Sequence, residues 1–343
     1  MSETTIAPVH PVKNQLPTHP TPRGDWLLRR RVDYWQLACV GVQHVLLYAA
    51  WLSWPHAHAA TRLVCGLLLS YFAFAASCIT HNTIHVRVFH STRLEGAWLV
   101  ALSLAYGHPA STFHSGHNLS HHRYTQSKRD PMRTSKVRFR SNTLNVLLFQ
   151  PLVAADVFRL DVKYLRYARC SRPLLFRQCM LEWAAVLTVT GVLACTDWRR
   201  ALALFYLPHL FAQWGIVTMN FLQHDGCSLV AGAPWAQGAA PPRDYNMARN
   251  FVGPITNLLT FNNGFHTMHH MMPSVHWHDL PARHQAEVVP FMDPCLDERC
   301  MLRYIVRAFV YPGRRVTFDG ESVPLVGEAD APDDDWTLEY KQD

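Results

Sequence analysis

The stretch Asn262-Asn263-Gly264-Phe265-His266-Thr267-Met268-His269-His270 places three imidazoles within five positions. Two other stretches have the same character, His81-x-x-x-His85 and His117-x-x-x-His121-His122, and His224 stands apart from them. Imidazole is a common ligand of iron, copper and zinc, and one ion rarely takes more than about four protein ligands. Nine histidines are too many for a single ion and suit two. An isolated pair of this kind would ordinarily be a solvated or capping pair. Three clusters and a fourth group make that reading untenable.

Spacing adds direction. On an α-helix, positions i and i+4 share a face, so His81 and His85 can grip one site, and so can His117 and His121. In His266-x-x-His269-His270 the positions i, i+3 and i+4 make one stripe, from which adjacent histidines can reach towards two neighbouring ions. Soluble bundles build paired-metal sites from Glu and Glu-x-x-His. Here no Glu-x-x-His occurs, and the three clusters contain no acidic residue. Asn220 lies one helical turn before His224 and could hold a ligand water or bind weakly through its amide oxygen.

The 343 residues are 49% hydrophobic, yet mean hydropathy is only −0.05, so the apolar residues must be concentrated in segments. Trp35–Trp54, Leu63–Ile79, Leu181–Cys195 and Ala201–Leu222 contain no Lys or Arg. A hydrocarbon core takes roughly 20 helical residues, so the second and third segments need flanking residues or a locally thinner bilayer. With the N-terminus inside, four crossings leave only Arg62, Arg199 and Arg200, of 32 basic residues, in the outer loops. That bias marks cytoplasmic loops. It attributes the net charge of +7 to anionic headgroups, and no nucleic acid partner is expected.

The same topology brings all four histidine groups to the cytoplasmic face. Leu94–Gly107 is apolar but too short to span, so it should dip in and return or lie along the interface. Residues 138–178 mix apolar and basic side chains and suggest interfacial helices. No cleavable signal peptide is visible. Residues 1–33 are expected to form a disordered, basic tail and residues 319–343 an acidic one, leaving a single membrane domain with its cap over 34–318. The nine cysteines include no C-x-x-C pair and fit a reducing compartment. His44 and His209 fall within crossings and are expected to be satisfied interior residues. His90, His108, His114, His276, His278 and His284 lack ligand-pair spacing.

These residues resemble the membrane fatty acid desaturases and their hydroxylase relatives, over roughly residues 35–310. The most specific match runs from Asn262 to His270 and continues through Pro273, Trp277, Leu280 and Pro281, resembling the third histidine box. His117 to Thr125, followed by Asp130-Pro131, is similar to the second box, and His81 to His85 to the first. The resemblance implies an all-α membrane fold, four transmembrane helices under a cytosolic helical cap that holds two non-haem irons. The nine histidines would be the ligands, with Asn220 near one iron through water.

It further implies an oxygen-dependent enzyme that introduces a double bond into a fatty acyl chain, using dioxygen and two electrons. Hydroxylation and decarboxylation to a terminal alkene are alternatives on the same scaffold. A non-enzymatic metal permease is disfavoured, because its ligands would lie at mid-membrane along a path. The chain carries no haem motif or four-cysteine iron site, so electrons would come from a separate ferredoxin, cytochrome or reductase. An acyl chain would need a dry tunnel. Trp51, Tyr71, Phe72, Phe74, Tyr206, Phe211 and Trp214 are candidates for its lining or for plain packing and anchoring. A multi-pass protein of a bacterial inner membrane, with both termini cytoplasmic, is the expected setting.

Overall fold

The computed structural model describes residues 24–228, 244–310 and 313–323. The fold is all-α, with two short strands in the cap. Four stretches are long and apolar enough to cross a membrane by length and composition: Arg31–His56, Ala59–His85, Asn142–Ser171 and Pro173–His224. The first holds α1 (Tyr34–Ser53), and the second is α2 (Ala59–His85). The last, of 52 residues, is two helices, α6 (Pro173–Ala201) and α7 (Leu207–His224), broken at Asp197, where φ is −159° and ψ 96°.

Contacts at the two ends give the direction of each helix. At the far end, Arg200 donates to Trp51 O and closes α6 against α1. At the near end, Gln178 on α6 donates to Gly96 O, and α7 finishes at His224 among the other histidines. α1, α2, α6 and α7 therefore alternate in direction, as expected of four crossings. α2 and α6 run to 27 and 29 residues, well beyond their uncharged segments, because polar residues such as Thr80 and His81 continue the helix into the cap. Val45, Tyr48, Leu67, Leu187, Val192 and Leu210 remain exposed on the helix flanks, the surface that lipid would cover.

α2 and α7 pack face to face through small residues. Ala73, Ala75, Ala76 and Ser77 are fully buried, and a methyl group on Gly215 would sit 2.7 Å from the Phe74 ring. Such close approach holds the ends of both helices, each with a ligand-type histidine, at the same level.

α3 (Thr92–Tyr106) dips in and returns, one of the two outcomes expected for Leu94–Gly107. A helix ending inside a membrane domain exposes carbonyls that no water can reach. Here the crossings supply the donors. Gln43 of α1 donates to Ala105 O, His44 to Ala101 O at 3.2 Å, and Gln213 of α7 to Gly107 O at 3.4 Å. His44 is thus satisfied within the interior, as expected. His209 packs on Gly107, whose φ of +79° turns the chain back and whose missing Cβ leaves room for the ring.

A π-helical segment, His114–His121, follows and runs into α4 (His122–Tyr124). α5 (Asn142–Ser171) lies along the histidine side rather than crossing. Its start is tied to the cap by Asn142, which donates to Ala308 O and Gly313 O, and its end passes directly into the near end of α6. That single 30-residue helix stands where interfacial helices were expected over 138–178.

The cap is completed by α8 (Pro254–Thr260), α9 (His266–Met271), α10 (Leu280–Glu287) and α11 (Met301–Phe309). A parallel pairing of β1 (Asn250–Phe251) with β2 (Asp297–Glu298) joins them.

Residues 24–33, assigned above to a disordered tail, are instead packed. Leu28 is fully buried and pairs with Phe89, and buried Asp33 accepts from Trp277 Nε1 at 2.8 Å and His276 Nε2 at 3.1 Å. Apolar Leu28 and the shared carboxylate tie this segment to the cap, which composition alone could not show. Residues 319–323 likewise depart from the expected acidic tail, forming a turn in which Thr317 N donates to Glu321 O. The remaining parts of both tails lie outside the described residues.

Candidate metal centre

The nine histidines converge into two groups. His81, His85, His117, His122 and His269 form one, and His121, His224, His266 and His270 the other, with the ligand atoms of each within 4.8 Å of one another. Five different elements contribute: α2, the π segment, α4, α7 and α9.

The division corrects one expectation. His117 and His121 do not share a site. The segment that carries them is π-helical, with His122 N donating to His117 O, five residues back. Five residues complete a turn there, so His117 pairs with His122, Nε2 to Nε2 at 3.0 Å, while His121 swings to the other group. α9 is an ordinary helix and behaves as its spacing predicts. His266 and His270 share one group, and adjacent His269 turns to the other, 2.9 Å from His122.

The donor set fits metal ions better than hydrogen bonds. His224, His266 and His270 point their Nε2 atoms at one another, with separations of 3.0, 3.1 and 3.2 Å. Three ring nitrogens cannot all donate to and accept from each other. Ligands on ~2.1 Å bonds at angles of roughly 90–100° around an ion stand about 3 Å apart. His85 Nε2 and His121 Nε2 are buried without any hydrogen-bond partner, as are both amide atoms of Asn220. Asn220, one turn before His224 on α7, is thus placed for a ligand water or a weak amide contact. Burial, followed by the charge of neighbouring histidines, pushes His117, His122, His266, His269 and His270 well below the ordinary imidazole range. Neutral imidazole is the metal-binding form.

The outer nitrogens of several rings are held in turn. His121 Nδ1 lies 2.8 Å from Asp130 Oδ2, and both residues are fully buried. Burial would raise the Asp130 carboxyl, but the His121 ring and the N–H groups of Gln126 and Met132 outweigh it and lower the pKa. His224 Nδ1 donates to Met247 O at 3.0 Å, and His81 Nδ1 faces Asn82 Oδ1 at 3.4 Å. Such partners fix ring orientation and tautomer. Asp130 had appeared in the sequence only as part of a motif. Asp33, which holds the loop after α9 through His276 and Trp277, gave no local signal.

Backbone geometry fixes α9 itself. Phe261 and Asn262 have φ of 52° and 60°, and a Cβ on Gly264 would lie 2.2 Å from Phe251 O. Asn257 knits this turn together, donating to Phe251 O and Gly253 O and accepting from Gly264 N. Next to His224, Asp225 and buried Arg315 form a two-point ion pair.

A cleft of about 150 Å³ opens beside the histidines, between α5 and α7. Its wall includes His81, His117, His266 and Asn220, with Phe113, Val153, Val157, Ile216 and Val217 among its apolar residues. The aromatic candidates Trp51, Tyr71, Phe72, Phe74, Tyr206, Phe211 and Trp214 are absent from that wall; Trp51, Tyr71 and Phe74 pack among the crossings, and Trp214 packs against the cluster of Phe149, Phe221 and Phe309. His276 and His284 bond to Asp33 and Asp297 and stand outside both groups, as their spacing suggested.

Comparison with curated proteins returned no match. The family model described as fatty acid desaturase matches residues 57–295, which include every histidine of both groups and most of the described fold. That family is one of oxidoreductases acting on acyl chains in a lipid environment, and the four apolar crossings fit a membrane protein. The chain belongs to the fatty acid desaturase family.

Proposed function

We propose that the chain is an oxygen-dependent di-iron enzyme that desaturates a fatty acyl chain. The observation that carries this reading is the sorting of nine imidazoles, seven buried and two half-buried, into a five and a four beside a largely apolar cleft. His81, His85, His117, His122 and His269 would hold one iron. His121, His224, His266 and His270 would hold the other, with Asn220 contributing through a water. Iron bound there supplies dioxygen activation and removal of hydrogen from an unactivated methylene, with two electrons from a separate ferredoxin, cytochrome or reductase.

The chain's own residues supply position. Neutral rings without carboxylates leave the ions more positively charged than a Glu-rich site would. Phe113, Val153, Val157, Ile216 and Val217 exclude water and lay an acyl chain past His81, His117 and His266. Asp130 holds His121 in one orientation. The excess of basic residues expected on the histidine side supports reading that side as cytoplasmic, in a bacterial inner membrane with both termini inside.

Expression in a host of simple lipid profile, followed by mass spectrometry of fatty acids and hydrocarbons, tests the reading. New double bonds are expected. Hydroxylated chains or shortened terminal alkenes would redirect it to the sister reactions. Unchanged lipids from iron-loaded protein with a competent reductant would overturn it.

A further inference from the structure

The cleft is less apolar than an unsubstituted acyl chain requires. Gln150, Ala154, Val157 and Asp161 follow one another along one stripe of α5 and all line it. Asp161 is only 4% exposed. Its Oδ1 is bonded to the Ser115 hydroxyl, two residues before His117, and lies 3.9 Å from where a Cβ on Gly116 would stand. Its Oδ2 has no hydrogen-bond partner, and no Lys, Arg or His pairs with it among the described residues. The hydroxyl of buried Tyr106, on α3, and the amide of Gln150, further along the same stripe of α5, are also without partners among the described residues. His108 and Thr112, bonded to each other at 3.1 Å, complete this polar side.

A carboxyl group buried without a cation or a full set of donors is costly, and a hydrocarbon laid against it would satisfy nothing. A structural task accounts for only one of its oxygens. The Ser115 hydroxyl, which also lies 2.8 Å from Thr112 O, steadies the π segment through Oδ1. The second oxygen is left facing the cleft. A substrate group that donates a hydrogen bond would answer it, in a cleft that Tyr106 also lines.

The geometry points to an acyl substrate that carries a hydroxyl or amino group, received by Asp161 while the hydrocarbon on either side lies against Val157 and Val217. This rests on the reading of the cleft as the acyl site. Asp161 then acts in substrate binding and register, fixing which methylene stands before His81 and His117. A site built to bond a polar group discriminates strongly against the analogue that lacks it, because its own polar atoms are then left unmatched.

The test uses purified, iron-loaded full chain with a chemical reductant and saturated fatty acids of one length: unsubstituted, hydroxylated at successive carbons, and aminated at successive carbons. Wild type should turn over one hydroxylated or aminated chain at least about tenfold faster than the unsubstituted one. Asp161→Asn keeps an acceptor for Ser115 and should erase that preference, so that substituted and unsubstituted chains turn over within about twofold of one another. Thermal shift of metal-free protein gives an independent readout: the preferred chain should raise the melting temperature of wild type and not of Asp161→Asn. Equal preference in wild type, or equal losses on all chains in Asp161→Asn, would overturn the role of Asp161 and leave acyl oxidation standing. No oxidation of any chain by wild type would overturn acyl oxidation itself, and the assignment of Asp161 with it. A preference confined to the hydroxylated or to the aminated series identifies which donor the carboxylate receives.

Discussion

His121 and Asp130 are joined by a 2.8 Å contact between Nδ1 and Oδ2 in a region where neither side chain is exposed. Asp130 also accepts from the backbone N–H of Gln126 and Met132, so its position is set by the turn that follows the second cluster. The ring it orients turns its free Nε2 into the four-histidine group. Asp130→Asn should therefore weaken one iron site and spare the other, by about tenfold to a hundredfold in affinity. Iron titration of the apoprotein checks this; two unchanged affinities would show that the carboxylate does not support a ligand.

The π segment makes a prediction about pairs. His117 and His122 belong to one group and His121 to the other. Losses in iron affinity from His117→Ala and His122→Ala should be strongly non-additive in the double variant, since either change already damages the same site. His117→Ala combined with His121→Ala should be close to additive. The reverse pattern would restore the regular helical register.

Gly264 precedes α9 at a point where a Cβ would stand 2.2 Å from Phe251 O. Gly264→Ala must push apart the turn that Asn257 holds, at a cost of roughly 2 kcal/mol or more. A melting temperature several degrees lower, together with reduced iron content, is expected. Unaltered melting would mean that the loop relaxes freely.

Gln43 carries the weight of ending α3 within the membrane domain, through its bond to Ala105 O. Gln43→Leu leaves that carbonyl without its donor and should destabilise the fold by about 1–3 kcal/mol. Unfolding in detergent, read by loss of helical signal, measures it.

The meeting of the nine histidines was legible because their spacing and sidedness bring all four groups to one end of the crossings. The crossings were legible too, because apolar runs without charge have few other uses. Which histidines share an ion was legible only in part. α9 follows its spacing, but the register of His117–His122 depends on a hydrogen-bond pattern that becomes π-helical under tertiary packing. The roles of Asp33 and Asp161 arise from contacts of 244 and 46 residues' separation, which no local pattern encodes. The wall of the cleft was not legible for a similar reason: α5, amphipathic and basic, supplies much of the lining, and nothing local in its sequence says which face meets α7.

Iron content per chain is the most direct measurement of all. Protein purified from iron-replete cells should hold two iron atoms, with His270→Ala and His269→Ala each retaining one and losing different ones, as their Mössbauer spectra would show. A wild type that holds no more than one iron, or adjacent variants that lose the same one, would contradict the five-and-four arrangement of imidazoles.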